Sequence, residues 1–331
     1  MRYPELKIRK FHFLVTGGAG FIGSNLIFKL LENGQRVTAI DNFITGKRKN
    51  IEDIERFVKE NNMTEEDFRF IEGDIRDTEL CMNSTAGVDY ILHNAAMGSV
   101  TRSVEDPVVT TDINVVGTVN MLHASLGRKV KRFIYASSSS VYGDSGGLPK
   151  KEGEEGWPLS PYAASKVSCE LFAGTFHDVY GLPVIGLRYF NVFGPRQDAS
   201  SPYAAVVPIF IKKLLSGEPP LINGDGDTTR DFTYVDNVVD ANIRAAFAPK
   251  EALGKAYNIA CGREVTLNEL YGKIASLLNK DIKPVYGPER KGDIRKSFAD
   301  VSRAKESLKY IPSVDFEKGL ELSIDWYGKN L

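Results

Sequence analysis

The stretch Phe11-His12-Phe13-Leu14-Val15-Thr16-Gly17-Gly18-Ala19-Gly20-Phe21-Ile22-Gly23 decides the reading of this chain. Residues 11–16 read as a buried strand and residues 21–31 as a helix that stops near Asn33-Gly34. The turn between them carries glycine at 17, 20 and 23. Gly17 permits a tight turn, Gly20 lets backbone approach a pyrophosphate, and Gly23 lets helix and strand pack closely. The free amides of the helix start then face the phosphates, with Phe21 and Ile22 in that first turn. A glycine-rich turn is weak evidence alone. Its context is Asp41, at the end of a second strand (37–40) and followed by Asn42. A carboxylate there accepts ribose hydroxyls and repels a 2′-phosphate, which favours NAD over NADP. Lys47 and Arg48 lie near enough in sequence to leave a phosphate partner open.

Further strands are expected at 68–71, 90–93, 133–136 and 182–188, and helices at 51–60, 114–125, 207–216 and 267–278. Strands alternating with helices imply an α/β fold with a Rossmann-type, doubly wound parallel sheet. After about residue 190 the segments shorten and gain proline and glycine. Residues 1–190 are therefore expected to bind NAD, and residues 191–331 to form a smaller α/β substrate lobe, with some chain crossing between them. Asp74-Ile75 after the third strand and Ala95-Ala96 after the fourth would border the cofactor.

A second constellation is Ser138, Tyr162 and Lys166. Tyr162 and Lys166 are spaced i, i+4 and share a helix face. Ser160-Pro161 supplies a cap and a first-turn proline. A phenol is a poor base near neutrality, and an adjacent ammonium favours its anion. Such a group can take a proton from a sugar hydroxyl while hydride leaves the same carbon. Ser138, ending the fifth strand, can bond that hydroxyl.

The bulk properties exclude little but point one way. A net charge of −1 marks neither a nucleic-acid nor a membrane-surface binder, and no apolar run is long enough to span a bilayer. Cys81, Cys169 and Cys261 lack metal or disulfide spacing; with no signal peptide expected, they suit a cytoplasmic enzyme. Asp225, Asp227 and Asp231 cluster, but on a glycine-rich loop, and no metal is expected.

The motifs Thr16 to Gly23, Ser138-Ser139-Ser140-Val141-Tyr142-Gly143, Tyr162-Ala163-Ala164-Ser165-Lys166 and Leu187-Arg188-Tyr189-Phe190-Asn191-Val192-Phe193-Gly194-Pro195 resemble the extended short-chain dehydrogenase/reductases, specifically the nucleotide-sugar 4-epimerases. The resemblance covers nearly the whole chain. It implies that Asn114 supports the active site, that Asn191, Arg230 and Arg290 hold the substrate diphosphate, and that Asp293 meets the uridine ribose. Val207 and Asn223 would flank the uracil. Dehydratases of this kind carry Asp-Glu where Ser139-Ser140 stand, so elimination is disfavoured. The expected reaction is 4-epimerisation through a transient 4-keto sugar, with NAD unchanged overall. Ser297 occupies the place where a tyrosine would exclude an N-acetyl group, which points to UDP-N-acetylglucosamine and UDP-N-acetylgalactosamine. UDP-glucose or UDP-glucuronate are the alternatives; Ser99, Arg102 and Ser139 could meet an extra substituent. A non-catalytic NAD-binding regulator on the same fold is disfavoured, because both Tyr162 and Lys166 are present. The resemblance also implies a homodimer packed through helices at 114–125 and 161–180.

Overall fold

In the computed structural model, which describes residues 3–201, 203–289 and 294–330, the opening strand β1 (His12–Thr16) lies near the middle of a seven-stranded sheet. β2 (Arg36–Asp41), β3 (Phe68–Glu72), β4 (Tyr90–His93), β5 (Arg132–Ser138), β6 (Val184–Tyr189) and β7 (Lys255–Ile259) complete it. The order is β3-β2-β1-β4-β5-β6-β7, and every pairing is parallel. The order reverses between β1 and β4, and ligands bind doubly wound sheets at such a crevice.

Side chains alternate along a strand, so β1 feeds two cores. Phe13 and Val15 join one hydrophobic cluster, with residues of α1 (Phe21–Glu32), α2 (Arg48–Glu60) and α6 (Val235–Ala246). Leu14 joins the other, with Met121 and Leu122 of α3 (Gly117–Ser125) and Ala173 of α4 (Pro161–Tyr180). Burial on both faces explains why the central strands read as continuous apolar runs. The expected stop and start signals also work. The Ser160 hydroxyl accepts from the Ala163 amide at 3.1 Å, Pro161 opens α4, and Gly181 closes it at φ +69°.

A third core sits beyond the sheet. α5 (Val206–Leu215), α7 (Leu267–Leu277) and α8 (Phe316–Asn330) enclose Phe193, Phe210, Ile274 and Leu320. Phe193 meets Phe232, Tyr234 and Phe316 edge-on, with ring centroids 5.8–6.3 Å apart.

Several elements differ from the sequence reading, two of them at the sheet and the cleft. β7 has no long apolar run: Lys255-Ala256-Tyr257-Asn258-Ile259 opens on a lysine and carries an amide at its fourth place. Asn258 is buried because its polar atoms are met. Its Nδ2 donates to the carbonyls of Lys150 and Asp300 at 3.0 Å each, and its Oδ1 accepts from the Tyr142 hydroxyl at 2.7 Å. The expected helix at 114–125 instead begins as a π-helical turn, Asp112–Val116, which runs into α3. Two short helices, Val100–Glu105 and Pro107–Thr111, precede it.

Truncation of a buried ring costs its transfer energy and leaves a cavity. Phe193→Ala should lower unfolding free energy by about 3–5 kcal/mol, measured by chemical denaturation of the full chain.

Candidate active site

The glycine turn is built by close contact. The Gly17 amide donates to the Ile40 carbonyl at 2.8 Å, and Gly17 takes φ +71°. A Cβ on Gly17 would lie 2.8 Å from the Ala95 nitrogen, and one on Gly23 only 2.0 Å from the Gly17 carbonyl oxygen. No side chain fits at either place, so the first turn of α1 lies directly against the ends of β1 and β4. Gly20 caps α1 without a side-chain oxygen, leaving the first amides open to an anion.

Between this turn and α4 runs a cleft of about 810 Å³. Gly17, Gly20, Phe21, Ile22, Gly23, Asp41, Asn42, Asp74, Ile75, Ala95 and Ala96 all line it. Ser138, Tyr162 and Lys166 line the same cleft, as do Ser99, Ser139 and Asn191. A dinucleotide therefore fits: a cradle that a Cβ would fill at one end, and hydroxyls with an ammonium at the other. The buried Nδ2 of Asn94, also on the cleft wall, has no hydrogen-bond partner among the described residues.

Asp41 is buried and holds the loop as well as facing the cleft. Its carboxylate accepts from the amides of Ala19 at 3.0 Å and Phe43 at 2.7 Å. Burial raises its pKa, and these amides work against that shift. Asp74 receives a two-nitrogen fork from Arg76, at 3.0 and 2.7 Å, and the Asn42 amide at 2.7 Å. The Arg76 hydrogen bonds hold its carboxyl down at about 2. Lys47 pairs with Asp198 at 2.6 Å, both on the cleft wall, and Arg48 pairs with Glu72 at 3.0 Å; both are exposed ion pairs.

Lys166 is buried and donates to the Ala136 carbonyl at 2.8 Å; its nitrogen lies 6.0 Å from the Tyr162 ring centre. Tyr162 is half-buried. Asn114 stands behind the wall rather than in it. Its Oδ1 accepts from the Met97 amide at 2.7 Å and its Nδ2 donates to the Ser165 hydroxyl at 2.9 Å. The π-turn that carries it thus fixes both the loop after β4 and the first turn of α4.

Of the remaining expected substrate residues, the four that are described lie apart from the cleft lining. Val207 is 1% exposed within the lobe's core, among Phe210 and its neighbours. Asn223 sits on a short strand paired with Val285–Gly287. Arg230 donates to the carbonyls of Thr229 and Ile294 at 2.7 and 2.6 Å. Ser297 is buried, two residues before the Lys150–Ala299 bridge. Arg290 and Asp293 lie outside the described residues. Among the described residues no group of acidic, histidine or cysteine side chains could hold a metal.

One part of the site carries no motif in the sequence. His93, at the end of β4, is buried beneath the cleft. The Thr118 hydroxyl donates to the Asn114 carbonyl, so it accepts from His93 Nε2 at 3.0 Å. His93 Nδ1 then accepts from the Thr16 hydroxyl at 2.8 Å, and Thr16 accepts from the Ala95 amide at 3.2 Å. The partners assign the neutral Nε2–H tautomer. This chain ties β1, β4 and the π-turn together at the cofactor end.

The model of the NAD-dependent epimerase/dehydratase family matches residues 13–260. The chain belongs to that family. A putative UDP-glucose 4-epimerase of Methanocaldococcus jannaschii is 38% identical over 319 residues, 96% of this chain and 98% of its own length. Among solved structures, a UDP-N-acetylglucosamine 4-epimerase from Methanobrevibacter ruminantium, in complex with UDP-N-acetylmuramic acid, is 39% identical with a TM-score of 0.90. That match covers 98% of this chain and 100% of that one. The UDP-glucose 4-epimerase of Thermotoga maritima with UDP-glucose is 38% identical with a TM-score of 0.88, covering 97% and 99%. NAD is the cofactor of the family.

Burial drives the His93 pKa down from 6.5 to about 3, with the Lys166 charge adding to the effect. The folded state therefore refuses a proton that the unfolded chain binds below pH 6.5, and stability falls as pH drops from there. Between pH 6 and pH 4 the wild type should lose up to about 1.4 kcal/mol more per pH unit than His93→Asn, read from denaturant unfolding at each pH.

Proposed function

We propose that this chain is a homodimeric, NAD-dependent UDP-sugar 4-epimerase whose preferred pair is UDP-N-acetylglucosamine and UDP-N-acetylgalactosamine. The observation that carries the chemistry is one cleft shared by the glycine turn and the Ser138, Tyr162 and Lys166 side chains. Bound NAD supplies a two-electron acceptor and donor at its nicotinamide ring. Tyr162 takes the proton of the sugar C4 hydroxyl and later returns it. Ser138 hydrogen-bonds the same oxygen and holds it toward the phenol. Lys166, steadied by the Ala136 carbonyl, keeps a positive charge beside Tyr162. The resulting 4-keto sugar turns about its phosphate linkage and is reduced on its other face. Ser139 and Ser140 supply no carboxyl for elimination, so the cycle closes on the 4-epimer.

The acetylated pair is supported by the family resemblance, which puts the small Ser297 where a tyrosine would exclude an N-acetyl group, and by the likeness to the Methanobrevibacter ruminantium enzyme; Ser297 itself lies buried outside the cleft lining. UDP-glucose is the second reading, favoured by the name of the Methanocaldococcus jannaschii relative. Asn191, Arg230 and Arg290 are assigned to the substrate diphosphate, and Asp293 to the uridine ribose. Residues 1–190 serve NAD and residues 191–331 the substrate. The dimer is supported by exposed apolar side chains on adjacent elements: Val104 and Val108 on the short helices before α3, and Leu171, Val179 and Tyr180 on α4. No described helix is long and apolar enough to cross a membrane, and a cytoplasmic location is proposed.

Tyr162→Phe should retain NAD and lose about 10²–10⁴-fold in kcat; undiminished turnover would reject Tyr162 as the base. In the wild type, resolving 4-epimers after incubation with each UDP-sugar should show the acetylated pair converted fastest, and conversion of plain sugars alone would reject the Ser297 argument. Leu171→Glu should shift the protein from dimer to monomer in sedimentation.

A further inference from the structure

Tyr162, Lys166 and Glu170 occupy positions i, i+4 and i+8 of α4 and so form one stripe. The first two face the cleft, and Glu170 continues the stripe below them. Arg188 of β6 grips its carboxylate with a parallel fork: Nε to Oε1 at 2.9 Å and Nη2 to Oε2 at 2.7 Å. The Ser137 hydroxyl of β5 donates to the same Oε1. Arg188 Nη1 donates to the Tyr142 oxygen at 3.1 Å and pairs with Glu155. Tyr142 in turn donates to Asn258 of β7. This buried knot ties α4 to β5, β6 and β7. Its Ser137 follows Ala136, whose carbonyl holds Lys166.

The knot has an electrostatic consequence. A lysine and a glutamate at i, i+4 on a helix ordinarily reach each other. If Glu170 took the Lys166 ammonium, the positive field at Tyr162 would be cancelled and the ammonium drawn off Ala136. Arg188 occupies both carboxylate oxygens instead. A lysine cannot replace that fork, because an ammonium is a point donor. The other groups around Lys166 supply no substitute charge. Burial keeps His93 neutral. Burial, then the Glu170 charge, pushes the Tyr135 phenol well above its ordinary value. Burial does the same for Tyr189 and Tyr142. Glu155, the second carboxylate of the knot, is itself bonded to Arg188.

We propose that Arg188 and Glu170 are the positioning pair of the catalytic helix, in which Arg188 fastens α4 to the sheet through Glu170 and keeps that carboxylate off the Lys166 ammonium. The inference rests on Tyr162 and Lys166 being the catalytic pair, and not on which sugar is preferred.

The test uses the full chain loaded with NAD and whichever UDP-hexose the wild type converts, with kcat and KM measured across pH. In Arg188→Lys the freed carboxylate should lower kcat at pH 7 by ten- to a hundredfold. It should also move the acidic limb of the kcat profile up by about one pH unit, with KM within about twofold. Adding Glu170→Gln to Arg188→Lys should return the limb to or below its wild-type position, with kcat recovering only in part because the fork is still absent. General loosening of the fold lowers kcat without this shift and reversal. An unmoved limb in Arg188→Lys, or a shift that persists in the double variant, overturns the proposal. Should Arg188→Lys fail to fold, Glu170→Gln alone reads the same quantity with opposite sign. Its limb should move to lower pH, and a limb that stays in place overturns the proposal. Tyr162→Phe is the control: if it turns over undiminished, the catalytic assignment has failed; if it is inactive while the limbs stay unmoved, only the positioning pair has failed.

Discussion

The nearness of α1 to the sheet is the constraint on which the rest depends. A Cβ at Gly23 would sit 2.0 Å from a carbonyl oxygen, and one at Gly17 would strike the backbone after β4. The absence of two methyl groups therefore sets where the helix start, with its open amides, meets the end of β1. That position fixes where a pyrophosphate can lie, and so how far along the sheet the nicotinamide must fall. The far wall answers to the same length: β5 ends at Ser138, and α4 brings Tyr162 and Lys166 down beside it.

Behind each wall, polar groups are spent on one another rather than on ligand. His93 lies between two threonines, Asn114 bridges two loops, and Glu170 closes on Arg188. Buried polar groups left half-satisfied cost free energy, whereas complete networks fix one geometry. The cleft surface is thus held by side chains that do not themselves line it.

Much of this was legible in the sequence because the signals are local. The glycine turn, the apolar runs of β1, β4 and β5, and the i, i+4 pair on α4 each sit within a few residues. The parts that escaped reading depend on distant partners. β7 looks unlike a buried strand until Lys150, Asp300 and Tyr142 arrive to satisfy Asn258. Asn114 is marked by the family resemblance, but the π-turn that carries it has no compositional mark. Val207 read as a nucleotide contact from its motif, yet the helical period of α5 turns it into the lobe's core. His93 looks like any strand residue until both of its nitrogens find hydroxyls.

The late arrival of β7 has a mechanical meaning. The chain leaves the sheet after β6, builds part of the outer lobe, returns through α6 to lay β7 against β6, and leaves again to finish that lobe. Two bodies joined by one connection can swing about a hinge. Here several separate crossings stitch them, and α6 packs on α1 and the sheet. A wide jaw-like rotation would strain every stitch at once. On the proposed mechanism, room for the turning sugar comes from loop and side-chain adjustments within a nearly fixed frame.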